Sequence, residues 1–367
     1  MNGPSIEQAL GRLSLAELIG QLLVVGFDGT SLPATLRQDL SLGRRGGVIV
    51  FKRNIESLPG LQALCVDVAR ATPADLPALI AIDEEGGRVR RLSPPALALP
   101  PMRQLAERTD PSFVEGCARV LGRELACLGI TMDFAPVVDV DTNPDNPVIG
   151  DRAFGADAET VVTFAQAVID GLRAGGVLSC IKHFPGHGDT LLDSHLALPS
   201  VLHDRARLDA VELAPFRRLA AVADSVMTAH VVYPALDEGP ATLSKKIVTG
   251  LLRERFGFEG VIFSDDLEMK GIAANQAPEA AGVLAIEAGC DVLLVCHDAE
   301  LQARVHAALL ERAERDEAFR RRCRIAARRS LALRRRRPPQ PGSPATLERL
   351  LREEVEPLAA ELSQRLA

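Results

Sequence analysis

Three histidines, two aspartates and a lysine crowd one fourteen-residue stretch, Lys182-His183-Phe184-Pro185-Gly186-His187-Gly188-Asp189-Thr190-Leu191-Leu192-Asp193-Ser194-His195. Imidazoles and carboxylates at this density can move protons near neutral pH, hold a metal, or grip a polar ligand. Pro185, Gly186 and Gly188 break regular structure, so the cluster is a loop, and the hinge-like residues suit a segment that closes when ligand binds. The apolar run before it, Val177-Leu178-Ser179-Cys180-Ile181, reads as a buried strand. The titratable groups therefore sit at a strand's carboxyl end, where α/β folds place their active sites.

Two other strand ends carry acids. Ile82-Asp83-Glu84-Glu85-Gly86-Gly87-Arg88-Val89-Arg90-Arg91 follows one apolar run and Phe263-Ser264-Asp265-Asp266-Leu267 closes another. A polar stretch from Asp139 to Asp151-Arg152 follows a further run, with turns at Asn143-Pro144-Asp145-Asn146-Pro147. The elements that position these groups are eight short β-rich runs: 22–27, 47–51, 78–83, 132–140, 177–183, 225–232, 261–265 and 292–296. Between them lie segments of helical spacing, including 55–71, 112–128, 158–174, 204–222, 248–256 and 279–288. Alternation of β and α requires parallel pairing, and eight units predict a closed (β/α)8 barrel, an α/β fold, with an open doubly wound sheet as the alternative. Glycines before strands, among them Gly175-Gly176 and Gly289, suit helix C-caps.

The barrel with an N-terminal helix is expected over 1–333. Arg334 to Arg337 and Pro338-Pro339-Gln340-Pro341-Gly342 read as a linker over 334–343, and 344–367 as one amphipathic C-terminal helix, docked on the barrel or a partner or lying free. A formal net charge of −7 disfavours nucleic acid as a partner. No apolar run approaches the ~20 residues of a membrane span. The amino terminus lacks the basic start and apolar core of a signal peptide, so a cytoplasmic location is expected, with a monomer favoured. Seven cysteines, scattered without CxxC spacing and mostly within apolar segments, argue against both a disulfide framework and a zinc site, and no metal is expected. With no Trp and one Tyr, there is little aromatic surface for stacking on long polysaccharides, so a sugar ligand has to be small and held by polar groups.

The run Lys182 to Gly188 with Asp193-Ser194-His195, the run Ile82 to Val89, and Ser264-Asp265-Asp266-Leu267-Glu268-Met269 together resemble the β-N-acetylglucosaminidases of glycoside hydrolase family 3. The resemblance covers most of residues 20–300. It implies a (β/α)8 barrel without a cofactor, and a retaining exo-glycosidase that releases N-acetylglucosamine from muropeptides during peptidoglycan recycling. It further implies Asp265 as nucleophile, His195 as general acid/base and Asp193 as its orienting carboxylate. Asp83, Arg91, Arg152, Lys182 and His183 match positions that hold the sugar hydroxyls and acetamido group. A histidine can fill the donor role because it exchanges a proton near neutral pH, and its neutral form does not repel an anionic substrate. Asp266 reads as a helix N-cap, and Asp83 could also serve only as a cap. His187 reads as structural, while His230 and His297 stay open between pocket lining and packing.

Three alternatives stand beside this reading. Family 3 phosphorylases or β-glucosidases share the motifs. A metal-dependent barrel hydrolase would use His183, His187, Asp189, Asp193 and His195, although no His-x-His ends the first strand and Lys182 adjoins a would-be ligand. A barrel that only binds sugar would have no use for Asp193, His195 and Asp265 together.

Overall fold

The computed structural model describes residues 4–194, 198–274 and 276–366. Eight parallel strands close into a barrel in the cyclic order β1-β8-β7-β6-β5-β4-β3-β2. They are β1 (Leu23–Val25), β2 (Gly47–Val50), β3 (Leu79–Ile82), β4 (Met132–Asp133), β5 (Leu178–Phe184), β6 (Ser225–Thr228), β7 (Val261–Asp266) and β8 (Val292–Val295). Closure removes both sheet edges, so each short strand is paired on both sides. A compact inner cluster that includes Ile49, Leu79, Met132, Phe134, Cys180, Met227, Phe263 and Leu294 fills the barrel. A larger apolar layer lies between strands and helices. Among the described residues no helix is long and apolar enough to cross a membrane.

The helices begin and end where their caps dictate. Pro111–Leu128 starts at Asp110, whose side chain accepts from Phe113 N–H, and Ala158–Gly175 starts at Asp157, which accepts from Thr160 N–H. The second stops at Gly176, whose φ of 98° is the left-handed conformation a glycine C-cap adopts. These two helices pack backbone to backbone: a Cβ on Gly175 would lie 2.6 Å from the Arg119 carbonyl oxygen and 2.7 Å from Gly122 Cα.

Several expected boundaries move. β4 leaves the ladder after Asp133 rather than running to Val140, because Pro136 has no N–H to donate; one bridge, Val137 to Lys182, remains beyond it. The expected helix over 204–222 is two, Arg205–Ala210 and Ala214–Leu219, with Pro215 at the start of the second. That break sets Glu212 in a turn. Segment 246–255 is a π-helix rather than an α-helix. The expected linker at 334–343 begins too early, since the helix Glu317–Arg336 runs through the arginines. Arg334 is buried beneath the barrel, donating to the carbonyls of Gly46 (3.0 Å) and Pro77 (2.9 Å) and to Gln21 Oε1 (2.6 Å). Leu333 beside it joins the inner cluster. The C-terminal helical segment, Pro344–Leu350 to Glu356–Leu366, packs on the Pro111–Leu128 helix, with Arg365 4.0 Å over the Phe113 ring and Arg123 2.8 Å from Glu354.

Candidate active site

A single extra residue at the end of each of two strands aims the polar groups of the site. Between Ile181 and Phe184, β5 advances three residues while β6 advances two, Val226 to Thr228. Between Phe263 and Asp266, β7 advances three residues against two on β8. Regular pleating would send successive side chains to opposite faces. A bulge lifts that restriction, and here Lys182 with His183, and Asp265 with Asp266, all line one cavity of about 240 Å³ at the barrel mouth.

The cavity brings together Asp83, Arg91, Arg152, Lys182, His183 and Asp265. Lys182, 3% exposed, is the hub, with Nζ 2.8 Å from Asp83 Oδ1 and 2.5 Å from Glu85 Oε1. Arg152 makes a two-pronged pair with Glu85 at 2.8 Å on each arm, and Arg91 Nη2 reaches Asp83 Oδ2 at 3.1 Å. Burial disfavours each of these charges, but the mutual attraction outweighs it. Asp83 and Glu85 are held below the ordinary carboxylate range, and Lys182 above the ordinary lysine value. The result is a charged cradle of donors and acceptors able to hydrogen-bond a small polar ligand. Asp83 caps no helix, since the next one begins at Met102.

A second network anchors the loop after β5. Asp139, fully buried, accepts from His183 N–H (3.1 Å), His187 N–H (2.7 Å) and His183 Nδ1 (2.7 Å). His187 is a joint rather than a ligand: Nδ1 lies 2.9 Å from Thr190 Oγ1 and Nε2 2.9 Å from Ser194 Oγ. Burial, with the His183 charge second, lowers its pKa to about 4, so it is neutral at pH 7. With both imidazole nitrogens engaged, His187 does not serve the metal-hydrolase arrangement. Gly188 lies so close to Val140 that a Cβ would fall 1.9 Å from its carbonyl oxygen. The loop carries Asp193, half-buried, and Ser194 at the cavity wall. His195 lies outside the described residues.

On β7, one oxygen of Asp265 accepts from Asp266 N–H at 2.8 Å, which orients the carboxylate. Asp266 is not the expected helix cap. Its Oδ1 accepts from Glu268 N–H (3.2 Å) and Cys296 N–H (3.3 Å), tying the ends of β7 and β8 together. Burial, then the Glu268 charge, raises its pKa to about 7. His230 is fully buried, bonded to Thr242 and to the Asp266 carbonyl, which resolves it as packing, whereas His297 lines the cavity mouth. Glu85 and Asp139 join these networks although neither stands out in the sequence as a site residue. The adjacency of Glu85 to Asp83, and the lone acid in the valine run 137–140, were the available signals.

Behind Asp83, Glu84 organises the turn that delivers Arg91: its Oε2 accepts from Arg91 N–H (2.7 Å) and Leu92 N–H (3.0 Å). Glu84 and Glu124 are both buried, each with one carboxylate oxygen lacking a partner, and burial raises both from 4.5 to about 7. The folded state binds these protons more tightly than the unfolded chain. Their stabilisation is complete below the unfolded value of 4.5 and is lost as pH rises to about 7. Glu124→Gln, which keeps an acceptor for Leu97 N–H, should flatten urea-unfolding stability between pH 5 and 8 by about 1–3 kcal/mol. Equal slopes for variant and parent would refute the assignment.

Comparison with known proteins decides the family. Residues 14–331 match the glycosyl hydrolase family 3 N terminal domain. The chain belongs to glycosyl hydrolase family 3. The family 3 enzyme is 42% identical to a β-hexosaminidase of Chromobacterium violaceum over 285 residues, 76% of this chain and 79% of that protein. It is 41% identical to a β-hexosaminidase of Pseudomonas aeruginosa over 279 residues, 75% and 82% of the two chains. Among solved structures, a family 3 β-N-acetylglucosaminidase from Paenibacillus superposes with a TM-score of 0.90 at 39% identity, covering 96% of this chain and 69% of that one. Native NagZ from Neisseria gonorrhoeae superposes with a TM-score of 0.71 at 33% identity, covering 83% and 96%. The barrel expected from the sequence is the fold of these relatives, and the family 3 enzyme is a glycoside hydrolase of the β-hexosaminidase type.

Proposed function

We propose that the enzyme is a retaining exo-β-N-acetylglucosaminidase that removes terminal N-acetylglucosamine from muropeptides in peptidoglycan recycling, acting in the cytoplasm. The observation that carries this is the convergence of Asp265 with the Lys182, Asp83, Glu85 and Arg152 cradle on one cavity of about 240 Å³. That volume lies below the ~300–1,000 Å³ of drug-sized pockets, and a one-ring subsite suits an enzyme working from a chain end. Asp265 attacks the anomeric carbon. His195, oriented by Asp193, protonates the leaving oxygen and then deprotonates the incoming acceptor. Lys182, Asp83, Arg91, Arg152 and His183 hold the sugar. Relatives that are β-hexosaminidases and β-N-acetylglucosaminidases support the choice of sugar.

The experiment compares 4-nitrophenyl β-N-acetylglucosaminide with the β-glucoside, each with and without phosphate, and follows the first-formed anomer by NMR. Free β-N-acetylglucosamine in both buffers is the expected product. A sugar 1-phosphate, an α anomer or a preference for the glucoside would overturn the proposal.

A further inference from the structure

Behind the loop that carries Asp193, three metal-capable side chains face one another. Asp189, from that loop, accepts from Thr142 Oγ1 at 3.0 Å through Oδ1 and meets His203 Nε2 through Oδ2. Glu212 sits in the turn created by the break before Pro215. One ligand atom from each of Asp189, His203 and Glu212 lies within 4.8 Å of the other two. Glu212 is 2% exposed, and Arg207 reaches only its Oε1, at 3.3 and 3.4 Å. Its Oε2 is buried without a partner.

An unpaired buried carboxylate oxygen is costly, and a hydrogen-bonded His–Asp pair beside it does nothing for it. We infer that Asp189, His203 and Glu212 form a binding site for a divalent transition-metal ion of the zinc type. One imidazole nitrogen and two carboxylate oxygens are a ligand set that zinc takes, with water at the fourth position. Asp189 and His203 are partly exposed, giving an ion a way in, while Glu212 supplies the buried charge. The ligands come from the loop after β5, from the connection beyond it, and from the turn after Arg205–Ala210. One ion would thus join Asp189, on the loop that carries Asp193, to His203 and Glu212. The ion stands outside the sugar cavity, none of its three ligands lining it, so it is a positioning site and takes no part in bond cleavage. Calcium and magnesium favour all-oxygen shells, so the imidazole selects against them.

The test uses the full-length protein stripped with chelator and titrated with Zn²⁺, and in parallel with Co²⁺, whose visible spectrum reports its ligand field. One equivalent is expected to bind, with nitrogen and oxygen ligation in the Co²⁺ spectrum and a rise in thermal midpoint. His203→Gln, at a half-exposed position, should weaken binding by at least ~100-fold, more than loss of an outer-shell partner costs. Asp189→Asn gives a second variant should the first misfold. A second cluster, Asp266, Glu268 and His297 at the cavity mouth, provides the control. His297→Ala should leave binding unchanged. The proposal is overturned if no equivalent binds, if His203→Gln and Asp189→Asn both bind as the parent does, or if binding is lost only in His297→Ala.

Discussion

Asp265→Ala should lower kcat by at least ~10⁴-fold while leaving the fold intact, because a retaining glycosidase without its nucleophile keeps binding but loses the covalent route. The side chain is half-buried, and among the described residues its carboxylate bonds the adjacent Asp266 N–H, so truncation strands no other group of those residues. Two measurements separate nucleophile from bystander. A slow 2-fluoro glycoside should add one sugar mass to the parent enzyme, on the peptide containing Asp265, and none to the variant. Azide, small enough to enter the space left by the carboxylate, should restore aglycone release in the variant and give the α-glycosyl azide, since one displacement inverts where two retain. Unlabelled parent enzyme that is still competent, or a β-glycosyl azide, would remove Asp265 from this role. The carboxylate belongs to a bulge, so its aim depends on the extra residue in β7 as much as on its own identity.

That dependence explains which parts of the molecule the sequence discloses. Apolar runs such as Leu79–Ile82 and Val292–Val295 announce buried parallel strands directly, and their alternation with helical spacing leads to the barrel. Asp83, Lys182, His183 and Asp265 converge because each follows such a run. A bulge, by contrast, is a relation between two strands, and no period in β5 or β7 alone records the count on its neighbour. The same holds for Glu85: three adjacent acids follow Ile82, and only the barrel decides that Asp83 and Glu85 face the cavity while Glu84 turns back to bind Arg91 and Leu92 N–H groups. Arg334 misleads for a related reason. An arginine-rich helix end reads as solvated, yet carbonyls distant in sequence, at Gly46 and Pro77, await it under the barrel. Asp266 looked like a cap because acids often begin helices, whereas the short helix after it starts at Lys270 with no side-chain cap. Pro215 marks the break within 204–222 in the sequence itself, but the apolar spacing on either side reads as one helix.

Lys182→Met should produce the next largest effect, and should do so twice over. The substitution keeps length and apolar stem but removes the cation that bridges Asp83 and Glu85. Breaking a buried ion pair from one side strands the other charge, typically at ~3–5 kcal/mol. Arg152 still pairs with Glu85 and Arg91 with Asp83, so the protein should fold but with about that loss at pH 7–8. The pH dependence has a definite sign. In the parent, Asp83 and Glu85 have depressed pKa values, so their contribution is present above the unfolded carboxylate range and is lost as pH falls through the folded values. The variant lacks much of that contribution, so the stability gap between the two should be widest near neutrality and narrow on acidification. In turnover, kcat/KM should fall by ~10³-fold, because Asp83 and Glu85, each left with one arginine, must move apart or take up a proton once the cation between them is gone, and either change disturbs the acceptors proposed to hold the sugar. Lys182→Arg should not rescue, since a planar fork cannot replace a point charge 3% exposed between two acids. Parent-like stability and parent-like kcat/KM in Lys182→Met would show that Arg91 and Arg152 suffice to hold the cradle, and would move the hub of the proposed sugar site from β5 to the loops after β3 and β4.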